Sequence, residues 1–309
     1  MGLGPNCLSF RKQATLGIGQ IIASKVRMLT LTKWFSVVTI LSLAIATPAF
    51  ADILVTPSNM GDWSFSFLDN SFVSCANCQV GQIVTGPATP PLGVGSANIS
   101  TTAGNGGGAS TIGTTGFNGT SLSELSALTY STYDTTNNGS QFPFLRIHIS
   151  YTNDSNNDGP GSDSLFFEPP YQTPTTGNPS LLNQGLPILD TWQTWNALAG
   201  GWWTNNGLGG SGGTNVVSFS TILAFYTGAT ITGSSYFAND GISLTVGEAS
   251  PSDNFNGYVD NVTVGVSNAD KTYDFDPTPA AVPEPGSILL LVTVVLGITF
   301  TTRRKLFNA

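Results

Sequence analysis

Between Asp52 and Pro277 the apolar residues come in short runs that alternate with Ser, Thr and other polar residues. Trp63-Ser64-Phe65-Ser66-Phe67, Leu145-Arg146-Ile147-His148-Ile149-Ser150-Tyr151, Ile242-Ser243-Leu244-Thr245-Val246 and Val262-Thr263-Val264-Gly265-Val266 all show this pattern. Each puts apolar side chains on one face and polar ones on the other, the period-two signature of a half-buried strand. Helical periodicity is nearly absent. One short helix is predicted at Ser220 to Tyr226, with Ser220 as N-cap before Ile222, Leu223 and Phe225. Two Gly-rich stretches, Ala103 to Gly119 and Gly207 to Gly213, predict flexible loops. The fold class is therefore all-β: two packed antiparallel sheets, a jelly-roll β-sandwich over residues 52–277.

The two ends break the pattern with unbroken apolar runs. Lys25, Arg27 and Lys33 precede the run Trp34 to Ile45, and Thr47-Pro48-Ala49-Phe50-Ala51 follows it. Basic, then apolar, then small is a signal-peptide layout, with cleavage after Ala49-Phe50-Ala51 and a mature chain from Asp52. The alternative is a permanent anchor, but a run of about 12 residues is short of the roughly 20 that a spanning helix needs. Residues 1–27 make a very long n-region, so the translation start is read at Met28 and Cys7 is set aside.

At the other end Val282-Pro283-Glu284-Pro285-Gly286-Ser287 leads into the uncharged run Ile288 to Phe300, and Arg303, Arg304 and Lys305 follow. An apolar run with basic stop residues predicts a single transmembrane helix and basic tail over 286–309, its C-terminus inside. Pro283 and Pro285 keep that helix from running back through the 278–285 linker. These three parts in fixed order resemble the PEP-CTERM sorting signal of Gram-negative bacteria. The resemblance implies export, recognition by an exosortase-type membrane protease, and delivery to the cell envelope, outer surface or extracellular matrix. It is an address rather than an activity, and an unprocessed C-terminal anchor is the alternative.

Removing the ends changes the charge picture. Residues 52–282 hold 17 acids and two bases, Arg146 and Lys271, so 2 − 17 gives −15. Such a surface repels phosphate backbones and excludes nucleic-acid binding. Its carboxylates have almost no basic partners and must be solvated or metal-bound. Cys75-Ala76-Asn77-Cys78 lacks the βαβ setting of a redox motif and the further ligands of a zinc site, so a disulfide clip is expected in the exported chain.

Candidate chemistry is sparse. Asp154-Ser155-Asn156-Asn157-Asp158-Gly159 has the D-x-[DN]-x-D-G spacing of half a calcium loop, and the Pro160 carbonyl and Asp163 complete a candidate shell. Leu165 stands where an EF-hand has its bidentate Glu, and a polar turn is the competing explanation. Trp192, Trp195, Trp202 and Trp203 cluster in sequence. Trp202 and Trp203 are the candidate glycan platform, against core packing under a covering loop. Asp260 shares strand parity with Tyr258 and Val262. If it points inward it needs backbone N–H groups, a cation or Lys271; otherwise it lies in solvent.

His148, the one histidine, alternates outward, and no nucleophile elbow, zincin motif or phosphate-binding loop appears. Glu124, Glu168 and Glu248 leave a glycoside hydrolase open, with Glu168 the first to test. Phe255 to Thr263, Tyr273 to Asp276, Leu165 to Pro169 and Trp192 to Trp203 resemble parts of secreted bacterial lectin-like jelly-roll domains, a resemblance that carries no catalytic residues. Three functions remain. The first is a non-enzymatic envelope or matrix protein that binds extracellular polysaccharide or calcium. The others are a carbohydrate-active hydrolase and a purely structural surface protein.

Overall fold

The computed structural model describes residues 52–210, 213, 215–233 and 241–277. The expected signal peptide with Ala49 and Ala51, the linker with Val282, Pro283, Glu284 and Pro285, and the C-terminal helix with its basic tail lie outside the described residues. Among those described, no helix is long and apolar enough to cross a membrane.

Strands are numbered in chain order. One sheet contains β1 (Ile53–Val55), β3 (Gln79–Thr85), β4 (Gly95–Thr101), β6 (Leu125–Thr136), β10 (Gln193–Asn196), β16 (Asn256–Val266) and β17 (Ala269–Phe275). The other contains β2 (Trp63–Leu68), β5 (Ala109–Thr114), β7 (Phe144–Tyr151), β9 (Gly161–Phe167), β11 (Gly201–Thr204), β12 (Val217–Ser218), β14 (Thr230–Ile231) and β15 (Ile242–Gly247). A small ribbon pairs β8 (Asn153–Asp154) with β13 (Tyr226–Thr227). The pairings are antiparallel except β1 on β17, which is parallel.

The alternation read from the sequence places the core. Leu145, Ile147 and Ile149 of β7 and Ile242, Leu244 and Val246 of β15 point into the same cluster as Ala97, Ile99, Leu128, Tyr130, Val259, Val262 and Val264 of the facing sheet. Each large aliphatic side chain buried there contributes about 1.5–3 kcal/mol relative to exposure. The short helix α1 (Phe219–Phe225) forms where expected, but its cap is Ser218, whose Oγ accepts the Thr221 N–H at 3.1 Å. Starting there lets Phe219 and Ile222 reach the core.

One loop expectation fails. The Gly- and Thr-rich stretch 103–119 contains β5, buried along its whole length between β15 and β2. Its small residues reflect a strand covered on both faces. Ile112 enters the core, while the Thr111 and Thr245 hydroxyls bond at 3.0 Å on the outer face.

Strand β16 is the hub of the first sheet. Along one edge it pairs with β6; along the other it pairs first with β4, at Asn256 to Val259, and then with β17, from Val262 to Val266. At the changeover the register with β6 shifts and Asn261 takes φ +52°. This bulge breaks the parity assumed for Asp260 and Val262: Val262 joins the core, and Asp260 does not. Asp260 is nonetheless fully buried. Its partners are backbone N–H groups, Leu92 at 2.9 Å and Phe275 at 3.2 Å, whereas Lys271 lies over the Phe117 ring. Asp276 similarly accepts the Val94 N–H at 3.0 Å. Gly93, at φ +53°, sits where a Cβ would collide with the Asp274 and Asp276 carboxylates.

Burial raises the Asp260 carboxyl from 3.8 to about 7, outweighing its N–H donors, with the Asp274 charge adding to the rise. Asp274 rises to about 6, from burial and then from Asp276 and Asp52. Burial likewise lifts Asp134 and Glu168 to about 7. The folded chain therefore holds protons that the unfolded chain releases near pH 4. The stability these protonated groups contribute is complete below the unfolded values and is lost as pH rises through about 6 to 7. Calorimetry should show the melting temperature falling from about pH 4 to about pH 8, with a shallower fall in Asp260→Asn; a rise over that range would contradict this account.

Candidate functional site

The outer face of the eight-stranded sheet carries a row of side chains in register. Trp203 pairs with Phe166, Phe166 with Arg146, Arg146 with Ser243, Ser243 with Gly113 and Gly113 with Ser64. Because Leu145, Leu165, Trp202 and Leu244 all enter the core, their neighbours Arg146, Phe166, Trp203 and Ser243 must face out. One row along, His148 Nδ1 and Ser164 Oγ lie 3.0 Å apart. Burial and then the Arg146 charge hold the imidazole below its ordinary value.

Over this face opens a groove of about 500 Å³, lined by Leu68, Ser71, Phe72, Arg146, Ser164, Phe166, Asn205 and Glu248. Its size falls in the roughly 300–1,000 Å³ range of small-ligand sites. Arg146 Nη1 donates to Glu248 Oε1 at 2.8 Å, with side-chain exposures of 7% and 22%. Two lining residues are held in the left-handed region, Phe72 at φ +56° and Glu248 at φ +60°. For such side chains that backbone is strained, and strain of this kind concentrates at functional sites.

Local hydrogen bonds impose both conformations. Asp69 Oδ1 accepts the N–H groups of Ser71 at 2.8 Å and Val73 at 3.0 Å, and the Phe72 N–H reaches the Asp69 carbonyl at 2.9 Å. The ring is left 48% exposed at the groove. A Cys75–Cys78 disulfide closes the return of this loop toward β3. Glu248 follows Gly247, at φ +102°, where a Cβ would strike the Gly108 carbonyl that accepts the Glu248 N–H at 2.7 Å.

The tryptophan platform requires correction. Trp202 has no exposed surface and donates its indole N–H to the Ala197 carbonyl at 2.8 Å. Trp195 is buried with its N–H on Thr132 Oγ1, and Trp192 bonds the Pro87 carbonyl. Trp203 is half-buried and stacks on Phe166 with ring centroids 4.2 Å apart, so it flanks the groove on the outer face. Its N–H meets Glu168 Oε1 at 3.2 Å. Glu168 is 8% exposed and raised to about 7 by burial, against the Trp203 bond and with a push from Glu248.

The calcium expectation also meets a different geometry. Asp154 Oδ1 accepts the N–H groups of Asn156 at 2.9 Å and Asp158 at 3.4 Å, and Asn153 Oδ1 accepts that of Gly159, which is a polar turn closed on itself. Asn156, Asp158 and Pro160 are exposed. Asp163 faces the interior instead, where Tyr226 O–H, the Ser164 N–H and the Asn206 N–H occupy its oxygens. Among the described residues no group of three or more His, Cys, Asp or Glu side chains is placed to hold a metal ion.

Sequence reasoning missed the roles of Phe72, Phe166, Arg146 and Glu248. For Arg146 a signal existed: a single arginine in an ectodomain of net −15 must find a carboxylate. For Phe72 none did, since nothing in the chain marks a left-handed phenylalanine.

Comparison with known proteins adds the address. Residues 281–305 match the PEP-CTERM protein-sorting motif. The motif implies export, association with the Gram-negative cell envelope and exosortase-type processing. No curated protein matches the chain. A solved chain described under the structural basis for the promiscuous specificity of carbohydrate-binding modules from the β-sandwich superfamily is 10% identical. The match covers 70% of this chain and 62% of that one, with a TM-score of 0.29, so this chain spans about three fifths of its length.

Replacing Trp202 tests the reassignment of that residue. Trp202→Ala should lower unfolding free energy by about 3–5 kcal/mol, read by denaturant titration, as for a core indole. A variant of unchanged stability would restore it to the surface.

Proposed function

We propose that this is a non-enzymatic protein of the cell envelope or extracellular matrix that binds polysaccharide in the groove of its eight-stranded sheet. The observation that carries the reading is the groove itself. An exposed phenylalanine, an arginine–glutamate pair, and small polar residues at Ser71, Ser164 and Asn205 line one concavity. Aromatic faces cover the apolar C–H faces of sugar rings, and fixed donors and acceptors orient hydroxyls. This proposal assigns no part to calcium; Asp154 Oδ1 and Asp163 Oδ2 accept hydrogen bonds from within the chain.

Pull-down of the full-length chain on insoluble envelope polysaccharide tests the reading. The double variant Phe72→Ala/Asn205→Ala should lose retention without a change in melting temperature. Retention equal to that of the parent would remove the groove from consideration.

A hydrolase has one observation in its favour: Glu168, protonated to about 7, neighbours an ion-paired Glu248. Against it, Glu168 is buried behind Trp203 and does not line the groove. Release of reducing sugar that vanishes in Glu168→Gln would establish this second reading; no release supports the first.

The address is tested separately. With Pro283, Glu284 and Pro285 replaced by alanine, intact mass measured on protein from cells should show the C-terminal residues retained. Identical masses for parent and variant would mean that the motif is not read.

A further inference from the structure

We infer that the groove selects uncharged polysaccharide over polyuronate, with a sugar ring held against Phe72 and its hydroxyls read by the Arg146–Glu248 pair. This rests on the reading of the groove as a polysaccharide site and adds the chemical class of the ligand.

Charge decides the class. Of the two bases in residues 52–282, Lys271 lies over the Phe117 ring and Arg146 is matched by Glu248 at 2.8 Å. A polyuronate would bring a carboxylate at every residue onto a surface of net −15 and, inside the groove, beside Glu248 with its cation already committed. Like charges in a partly desolvated cleft repel more strongly than in bulk water. A hydroxyl both donates and accepts, so it can bridge a guanidinium N–H and a carboxylate oxygen and leave neither charge unmatched.

The stacking position follows from exposure. The aromatic rings in the lining are Phe72 and Phe166. Phe166 is 4% exposed, one face taken by Trp203, whereas Phe72 is 48% exposed. Asp69 pins the Phe72 backbone in its left-handed state, so little further order is lost when a ring docks. Glu248 is fixed by its own left-handed backbone and by Gly108. The two polar readers and the platform are thus pre-set before a ligand arrives.

Titration calorimetry on the detergent-purified full-length chain tests this with hydroxyethyl cellulose, dextran and galactomannan as uncharged probes. Polygalacturonate and alginate serve as charged ones, each at low and at physiological salt. At least one uncharged probe should bind with an affinity that salt leaves unchanged, and Phe72→Ala should weaken it at least about tenfold at constant melting temperature. The polyuronates should not bind the parent. Glu248→Gln removes a carboxylate from the groove while keeping the shape of the side chain, so polygalacturonate should bind this variant more strongly than the parent, an advantage that fades with added salt.

Parent protein that binds a polyuronate as tightly as the uncharged probes, with the binding lost in Phe72→Ala, would overturn the selectivity and leave the groove standing. Binding to none of the five probes, or binding indifferent to Phe72→Ala, would overturn the groove reading and this inference with it.

Discussion

A carboxylate without a cation sets the terms for the first sheet. Where β16 leaves β4 and takes up β17, the edge of the ladder opens, and Asp260 fills the opening from a fully buried position. Its oxygens accept the N–H groups of Leu92 and Phe275. That one side chain joins the segment before β4, the middle of β16 and the end of β17, on which β1 lies in parallel. An ordinary protein would meet a buried aspartate with an arginine or lysine. A domain with 17 acids and two bases has none to spare, so backbone dipoles do the solvating. The cost is a set of carboxyls that hold their protons well above the usual range.

The same scarcity shapes the opposite sheet. Its one arginine is drawn against Glu248 on the outer face, where small residues leave room for a groove. The alternation that sends Leu145 and Ile147 into the core is what delivers Arg146 outward, so the fold and the site are one pattern seen from two sides. Strain at Phe72 and Glu248 sits on the rim rather than in the core, where the packing could not absorb it. The sorting motif lies at residues 281–305, beyond the sandwich, and shares no residue with the groove.

Legibility followed the strength of the local signal. The runs at Trp63, Leu145, Ile242 and Val262 became strands with ends displaced by a residue or two, apart from β16, which begins six residues earlier, because period-two burial leaves a direct trace in the sequence. Strand β5 left no such trace. A strand covered on both faces by close neighbours needs small residues, and Gly and Thr read equally well as a loop. At Asp154 spacing alone did not choose between two readings, because the same Asx chemistry that builds a calcium loop also closes a turn. Clustered tryptophans misled: their sequence proximity fixed neither depth nor direction, and Trp202 went to the core while Trp203 faced outward against Phe166.

By itself the sequence determined the sandwich class, the excess of acid over base and the sorting address at the C-terminus. Each of these depends on residues near one another in the chain or on composition alone. Only the tertiary structure decided which carboxylates are buried, which aromatic faces water, and which glutamate meets the arginine. Those outcomes depend on a bulge at Asn261, two left-handed residues, and strands more than 100 positions apart brought into register. The alternation within a strand says which of its faces is apolar, but not which distant strand lies beside it, because that pairing is made between segments far apart in the chain.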